Sequence, residues 1–296
     1  MIDFRYLNLS KFFIYWFASI SMNQKQKEGE VSKIIEDIKS IKIQGASNIA
    51  FAGLKAYSLS PRKETKIKLE NARPTEPMLF HVLELAEKKD YSKIKQHFEA
   101  TQDKINSFVL RIINNKDQIF THCHSTNVVK ALIYSKKKGK KFSVLNTETR
   151  PLFQGRRTAQ ELSKAGIKVT SFVDSALATI LEKENSKDKV YATKVFLGAD
   201  ALLNKGIINK VGSKTIAELA KVHKIPLYII SDSWKFSSKK IPIESRNLNE
   251  VWDKAPKNVK IMNPSFEFVD KKYIKAIISE LGILSYDKFL KRVNNL

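Results

Sequence analysis

The chain has 296 residues, 43% hydrophobic and 28% charged, a mixture that excludes a largely disordered chain and suits one large domain or two ordinary ones. A single cysteine, Cys123, excludes an internal disulfide framework and predicts a reducing, cytoplasmic setting. The net charge of +23 points to anionic partners, but 44 of the 53 basic residues are lysine. Nucleic-acid sites favour the planar guanidinium, so the balance reads as a solvated surface that draws in small anionic substrates, not as a nucleic-acid surface.

At the N-terminus, Arg5 and Lys11 lead into an apolar run from Phe12 to Ala18, followed by Ser19, Ile20 and Ser21. A positive start, a short apolar core and small residues together resemble a signal peptide. The alternative is that Met22 is the true start and the preceding stretch is a translated leader. The domain that follows favours this alternative, so residues 1–24 are taken as an extension and the fold is expected to begin near Lys25. No window approaches the roughly 18 apolar residues of a membrane span.

From Val31 to about Asn115 the pattern is helical, defining an expected helical domain over 25–116. Ile34, Ile35, Ile38 and Ile41 recur on one helix face. A second helix begins near Glu76, with Thr75 as its expected N-cap and Pro77 tolerated in the first turn; it carries Leu79, Val82, Leu83 and Leu85. A further helix carries Ile94, Phe98, Ile105, Val109 and Ile112.

From Asp117 short apolar runs alternate with amphipathic segments. The runs are Ile119-Phe120, Phe142 to Leu145, Val169 to Val173, Val195 to Leu197 and Leu227 to Ile230, and a last helix is expected over Lys271 to Leu281. Such alternation predicts a parallel sheet with crossover helices, so 117–296 reads as a Rossmann-like α/β domain. No Gly-rich dinucleotide fingerprint follows the first strand, and no cofactor is expected.

In such sheets ligands bind beyond the carboxyl ends of the strands, which here are Thr121 to Ser125, Thr147 to Arg150, Asp174-Ser175, Gly198 to Asp200 and Ser231 to Ser233. Cys123 sits between a strand and a helix that starts near Ser125, where a helix dipole is expected to lower its pKa; the alternative is a buried, inert thiol. With one cysteine and no familiar ligand spacing, the flanking His122 and His124 do not make a zinc site, and no metal is expected. Asp200 is placed to act as acid or base, or else caps a turn. Asn209 and Lys210 suit a hydroxyl and a phosphate, or form an ordinary polar turn. Lys235 lies between Trp234 and Phe236, where aromatic packing is the plainer explanation.

Several stretches occur together in order: Arg73-Pro74-Thr75, Thr121-His122-Cys123-His124-Ser125, Thr147-Glu148-Thr149-Arg150-Pro151 with Gln154-Gly155 and Thr158-Ala159, Gly198-Ala199-Asp200, and Ile208-Asn209-Lys210-Val211-Gly212. From about Ile38 to Ile283 the chain resembles the family that joins sugar-1-phosphate isomerases to the regulatory subunits of translation initiation factor 2B. The resemblance implies three branches: ribose-1,5-bisphosphate isomerase in nucleoside salvage, methylthioribose-1-phosphate isomerase, and largely non-catalytic initiation-factor subunits that typically lack the cysteine. The Thr-His-Cys-His-Ser form and the stretch from Asn263 to Ile283 look most like the first branch.

The resemblance assigns proton abstraction to Cys123 and proton donation to Asp200. It makes Gln44, Gly45, Ala46, Ser47, Arg73, Ser125, Thr126, Asn209, Lys210 and Lys235 substrate contacts. It also implies a homodimer or homohexamer joined through the C-terminal halves. One departure stands out: Gln44 replaces the arginine of the family's Arg-Gly-Ala. An uncharged side chain there is expected to weaken phosphate binding or to accompany a different substrate.

Overall fold

A computed structural model describes residues 22–183, 190–243 and 246–295. The signal-like stretch at Phe12 to Ala18 lies outside the described residues. The chain divides into two compact units: one holds residues up to Ala100 together with Trp234–Phe236, the other Thr101–Ser233 and the chain from Ser237. Among the described residues no helix is long and apolar enough to cross a membrane.

The first unit is helical. Helix α1 (Gln24–Lys39) starts at Asn23, whose side chain accepts from the Gln26 backbone while the Gln26 side chain accepts from the Asn23 backbone, so two otherwise unmet donors are satisfied. Its inward face is Val31, Ile34 and Ile38; Ile41, at φ 63°, lies past the helix. Helix α2 (Ala46–Leu59) and helix α3 (Lys63–Ala72) follow. Helix α4 (Pro77–Glu87) places Pro77 in its first turn, as the sequence predicted, but its N-cap is Glu76. Thr75 is buried and its hydroxyl makes no capping bond. Helix α5 (Tyr91–Ile112) completes the series, and the division between the units falls inside it, after Ala100. Trp234 joins the core of this unit, its ring stacked on His97 at 3.6 Å between centroids and 4° between planes.

The second unit is α/β. Its strands are β1 (Gln118–Thr121), β2 (Ser143–Thr147), β3 (Lys168–Phe172), β4 (Lys194–Leu197), β5 (Ala201–Leu202), β6 (Gly206–Lys210), β7 (Leu227–Ile230), β8 (Phe266–Asp270), β9 (Ala276–Ser279) and β10 (Gly282–Leu284). Its helices are α6 (Thr126–Lys137), α7 (Gln154–Lys164), α8 (Leu177–Leu181), α9 (Ser213–Val222) and α10 (Tyr286–Val293). A seven-stranded sheet runs β10-β9-β7-β4-β1-β2-β3, parallel except for β10. Its central strands are fully buried apolar runs, as parallel sheets covered by helices require: Ile119, Phe120, Val144, Leu145, Val195, Phe196 and Leu197.

Two elements differ from the sequence expectation. The segment Lys271 to Leu281 is not a helix: a short 3-10 turn at Lys271–Tyr273 leads into β9, which pairs with β7, and a tight turn then starts β10. The β-branched run Ile277-Ile278 is buried on both sides, which a strand in the sheet interior satisfies and a surface helix does not. Asn209 and Lys210 are also not in a turn. They end β6 in a separate three-stranded antiparallel sheet, β5-β6-β8.

Candidate active site

The strand order places β1 and β4 side by side, with Phe120 opposite Val195. From β1 the chain builds β2 and β3 on one side, then crosses back to β4 and continues through β7 and β9 on the other. Such a reversal opens a crevice beyond the carboxyl ends of the two strands, where open α/β sheets take their ligands. β1 runs into His122 and Cys123; β4 runs into Gly198, Ala199 and Asp200. The antiparallel hairpin then brings β6 back beside Asp200, whose N–H donates to the Ile208 carbonyl at 2.9 Å. Cys123, Asp200, Asn209 and Lys210 are therefore gathered at one end of the second unit.

Cys123 is held in the left-handed region at φ 65°, a conformation that costs a non-glycine residue free energy and persists only where neighbours enforce it. Its N–H donates to the Thr149 hydroxyl at 2.9 Å, and its carbonyl accepts from the Thr158 hydroxyl at 2.8 Å. Thr149, itself at φ 62°, is fixed in turn by Asp174, whose carboxylate accepts from the N–H of Thr149 at 2.8 Å and of Arg150 at 2.6 Å. Ser125 caps α6, its hydroxyl 3.5 Å from the Val128 N–H. A side chain at Gly198 would meet the Ser125 hydroxyl at 2.6 Å, so glycine lets the ends of β1 and β4 approach this closely. Thr126 opens α6 and is exposed.

The expected lowering of the Cys123 pKa does not occur. Burial, reinforced by the carboxylates of Asp200 and Asp174, pushes the thiol up to about 12; the His124 backbone N–H and the Lys210 ammonium pull the other way and lose. Lys210 is buried and its pKa is lowered, chiefly by burial, with Arg246 adding to the effect and Cys123, Glu250 and Asp200 opposing it. Asn209 donates to the Ser213 hydroxyl at 2.8 Å, which donates to the Lys210 carbonyl at 2.6 Å. This bracing fixes the end of β6.

The two histidines beside Cys123 take different partners. His122 is buried between the Thr147 hydroxyl, 2.5 Å from Nδ1, and the Val211 carbonyl, 2.9 Å from Nε2. His124 Nδ1 lies 3.1 Å from the Thr158 hydroxyl, with Glu161 3.9 Å from Nε2. Burial lowers both pKa values, that of His124 to about 4, with Arg157 contributing and Glu161 opposing.

The remaining residues singled out from the sequence belong to the first unit. Gln44 is exposed, and its side-chain amide donates to the Ile41 carbonyl at 3.1 Å. Gly45, at φ 87°, is the N-cap of α2, which Ala46 and Ser47 open. Arg73 is buried at the end of α3. Lys235 follows Trp234 in the segment packed on His97.

Sequence reasoning passed over Arg246 and Glu250. Their charges act on Lys210, and they pair at 3.3 Å. Asn263 donates to the Asn247 carbonyl at 2.8 Å and to Glu250 at 3.2 Å, holding the segment in place. The spacing of Arg246 and Glu250 at i and i+4 was a signal, but a common one on solvated surfaces.

A sequence model of the initiation factor 2 subunit family matches residues 63–286. A ribose 1,5-bisphosphate isomerase of Archaeoglobus fulgidus is 30% identical, over 86% of this chain and 90% of the relative. A methylthioribose-1-phosphate isomerase of Thermosipho melanesiensis is 31% identical, over 86% of this chain and 87% of the relative. Among solved structures, a translation initiation factor eIF-2B of Pyrococcus horikoshii shares the fold at a TM-score of 0.72 and 24% identity, covering 86% of this chain and 96% of that one. The chain therefore belongs to the initiation factor 2 subunit family, and the two enzymes named here, each matched across most of its length, are isomerases.

Proposed function

We propose that this chain is a sugar-phosphate aldose–ketose isomerase that converts ribose 1,5-bisphosphate to ribulose 1,5-bisphosphate. The observation that carries the reading is the meeting of Cys123 and Asp200 at the reversal point between β1 and β4, with the buried ammonium of Lys210 beside them. The substrate's anomeric oxygen carries phosphate, so its ring does not open as a free sugar's does. An acid must protonate the ring oxygen while a base removes the C2 proton.

The raised thiol sets the order of events. Before substrate binds, Cys123 is protonated at neutral pH, and the negative Asp200 helps to keep it so. Moving the thiol proton to Asp200 removes that repulsion and makes both groups competent at once. Protonated Asp200 gives its proton to the ring oxygen as the C1–O bond breaks. The thiolate takes the C2 proton, leaving a C1=C2 enol. The proton on sulfur then returns to C1, and the C2 hydroxyl gives its proton to Asp200 as the ketone forms. Lys210 favours the thiolate throughout. In this reading Asn209 and Lys210 take the substrate's hydroxyl and phosphate, chemistry that an amide and an ammonium suit.

Methylthioribose 1-phosphate is the second reading, favoured by relatives of that name at equal identity and by the missing charge at Gln44. The same proposal includes a cytoplasmic setting and a homodimer or homohexamer. Side-by-side turnover of the two sugar phosphates tests it: faster conversion of the bisphosphate supports the first substrate, and faster conversion of the methylthio sugar replaces it.

A further inference from the structure

The fold joins two separate sheets where the functional residues meet. Cys123 follows β1 of the seven-stranded sheet, while Lys210 ends β6 of the three-stranded sheet. Among the described residues no ladder pairs β1 with β6: the backbone path between them runs through β4, which pairs with β1 and leads to Asp200, bonded to Ile208 of β6. A side chain that bridges the two turns therefore adds a direct tie between thiol and ammonium. His122 occupies that place.

Its tautomer follows from its partners. The Val211 carbonyl only accepts, so Nε2, 2.9 Å away, carries the proton. Nδ1 is then a lone pair and accepts from the Thr147 hydroxyl at 2.5 Å. The next residue after Val211 is Gly212, at φ 100°; a side chain there would come within 3.1 Å of Nε2 and 3.3 Å of Cε1. The turn leaving Lys210 thus lies directly against the imidazole, and glycine is what permits the approach. The turn is rigid in itself, since the Asn209–Ser213–Lys210 hydrogen bonds brace it. On the other side, the Cys123 backbone is held by Thr149 and Thr158.

We infer that His122 is a positioning residue: a neutral strut, protonated on Nε2, that ties the Cys123 turn to the Lys210–Gly212 turn and so sets the separation of thiol and ammonium. The electrostatic interaction between Cys123 and Lys210 agrees with this placement. The inference rests on the isomerase reading for its kinetic readout only.

Three variants test it: His122→Leu, which fills the space without hydrogen bonds; His122→Gln, which offers one donor and one acceptor; and Thr147→Val, which removes the nearer donor to Nδ1 and leaves only the Thr149 hydroxyl, 3.5 Å away. Because Cys123 is the sole cysteine, iodoacetamide modification reports this site without any substrate. His122→Leu is expected to lower kcat by about tenfold or more with a smaller change in KM, and to slow alkylation at pH 9 by about threefold or more as Lys210 loses its hold on the thiolate. His122→Gln is expected to recover most of both losses, and Thr147→Val to show the same changes in milder form. Thr147→Val carries the test if His122→Leu does not fold. Wild-type alkylation and kcat in a folded His122→Leu or Thr147→Val protein, or a His122→Gln protein as impaired as His122→Leu, would overturn the inference. Altered alkylation with glutamine rescue, in a protein that turns over neither sugar phosphate, would uphold the strut and refute the isomerase reading alone.

Discussion

The N–H of Cys123 donates to the hydroxyl of Thr149 at 2.9 Å, so a residue beyond β2 holds the residue beyond β1 in its left-handed conformation. Thr149→Val keeps the branched shape but leaves that N–H without its acceptor. A lost buried hydrogen-bond partner costs about 1–3 kcal/mol. Thermal melting is expected to fall accordingly, and turnover with it, while Thr149→Ser retains both. Equal melting temperatures for the valine and wild-type proteins would show that the hydroxyl does not hold the turn.

Gly198 faces the Ser125 cap of α6. In Gly198→Ala the added carbon meets the Ser125 hydroxyl at 2.6 Å and its Cβ at 2.8 Å, so β4 or the start of α6 must shift. Overpacking of this kind costs about 1–3 kcal/mol. Urea unfolding is expected to show that loss. Removing the obstructing hydroxyl and carbon together in Gly198→Ala/Ser125→Gly is expected to restore part of it, and no restoration would mean the strain lies elsewhere.

At the opposite ends of these strands, Asp117 and Lys194 form a nearly buried pair at 2.6 Å, their side chains 8% and 12% exposed. Asp117 also accepts from the Asn114 N–H and the Thr193 hydroxyl. Lys194→Met leaves a buried carboxylate uncompensated, a change that costs about 3–5 kcal/mol. Adding Asp117→Asn is expected to recover much of that loss. A double-mutant cycle in urea measures the coupling, and additive losses would show that the pair is not coupled.

The two histidines beside Cys123 link stability to pH. Both have folded pKa values below the ordinary 6.5, that of His124 at about 4. Between those values and 6.5 the unfolded chain binds protons that the folded chain does not. Stability is therefore fully present above about pH 6.5 and is lost as pH falls, at up to about 1.4 kcal/mol per pH unit for each group. Urea titrations between pH 7 and 5 measure the slope. It is expected to shrink in His124→Gln; an unchanged slope there would assign the effect to other groups.

Much of this site was legible in the sequence because short apolar runs end in polar residues, and a parallel sheet places those ends together. That logic located Cys123 and Asp200 without coordinates. It failed at β9, where a short β-branched run with charged flanks reads like a helix face until its pairing with β7 is seen. It also failed at β6: the run Gly206 to Lys210 ends in polar residues and reads as a turn, and its strand character is seen only in its pairing with β5 and β8. Helix α2 escaped notice because Ile49, Ala50, Phe51, Ala52 and Leu54 are all buried, which leaves little polar face to mark the period. The thiol shift had the wrong sign because helix position is local, whereas desolvation and the Asp200 and Asp174 charges come from tertiary structure.

The central claim is that Cys123 and Asp200 together move the protons of a sugar-phosphate isomerisation. The most direct measurement is turnover of ribose 1,5-bisphosphate by the wild-type protein and by Cys123→Ser and Asp200→Asn, with folding checked by thermal melting. Loss of a positioned acid or base is expected to lower kcat by about 100-fold or more in each variant, with native-like melting. When the reaction is run in deuterium oxide, the wild-type product is expected to carry deuterium at C1 wherever the sulfur-borne proton exchanges before it returns. Wild-type turnover in either folded variant would remove that residue from the mechanism, and no turnover of either sugar phosphate by the wild-type protein would contradict the account as a whole.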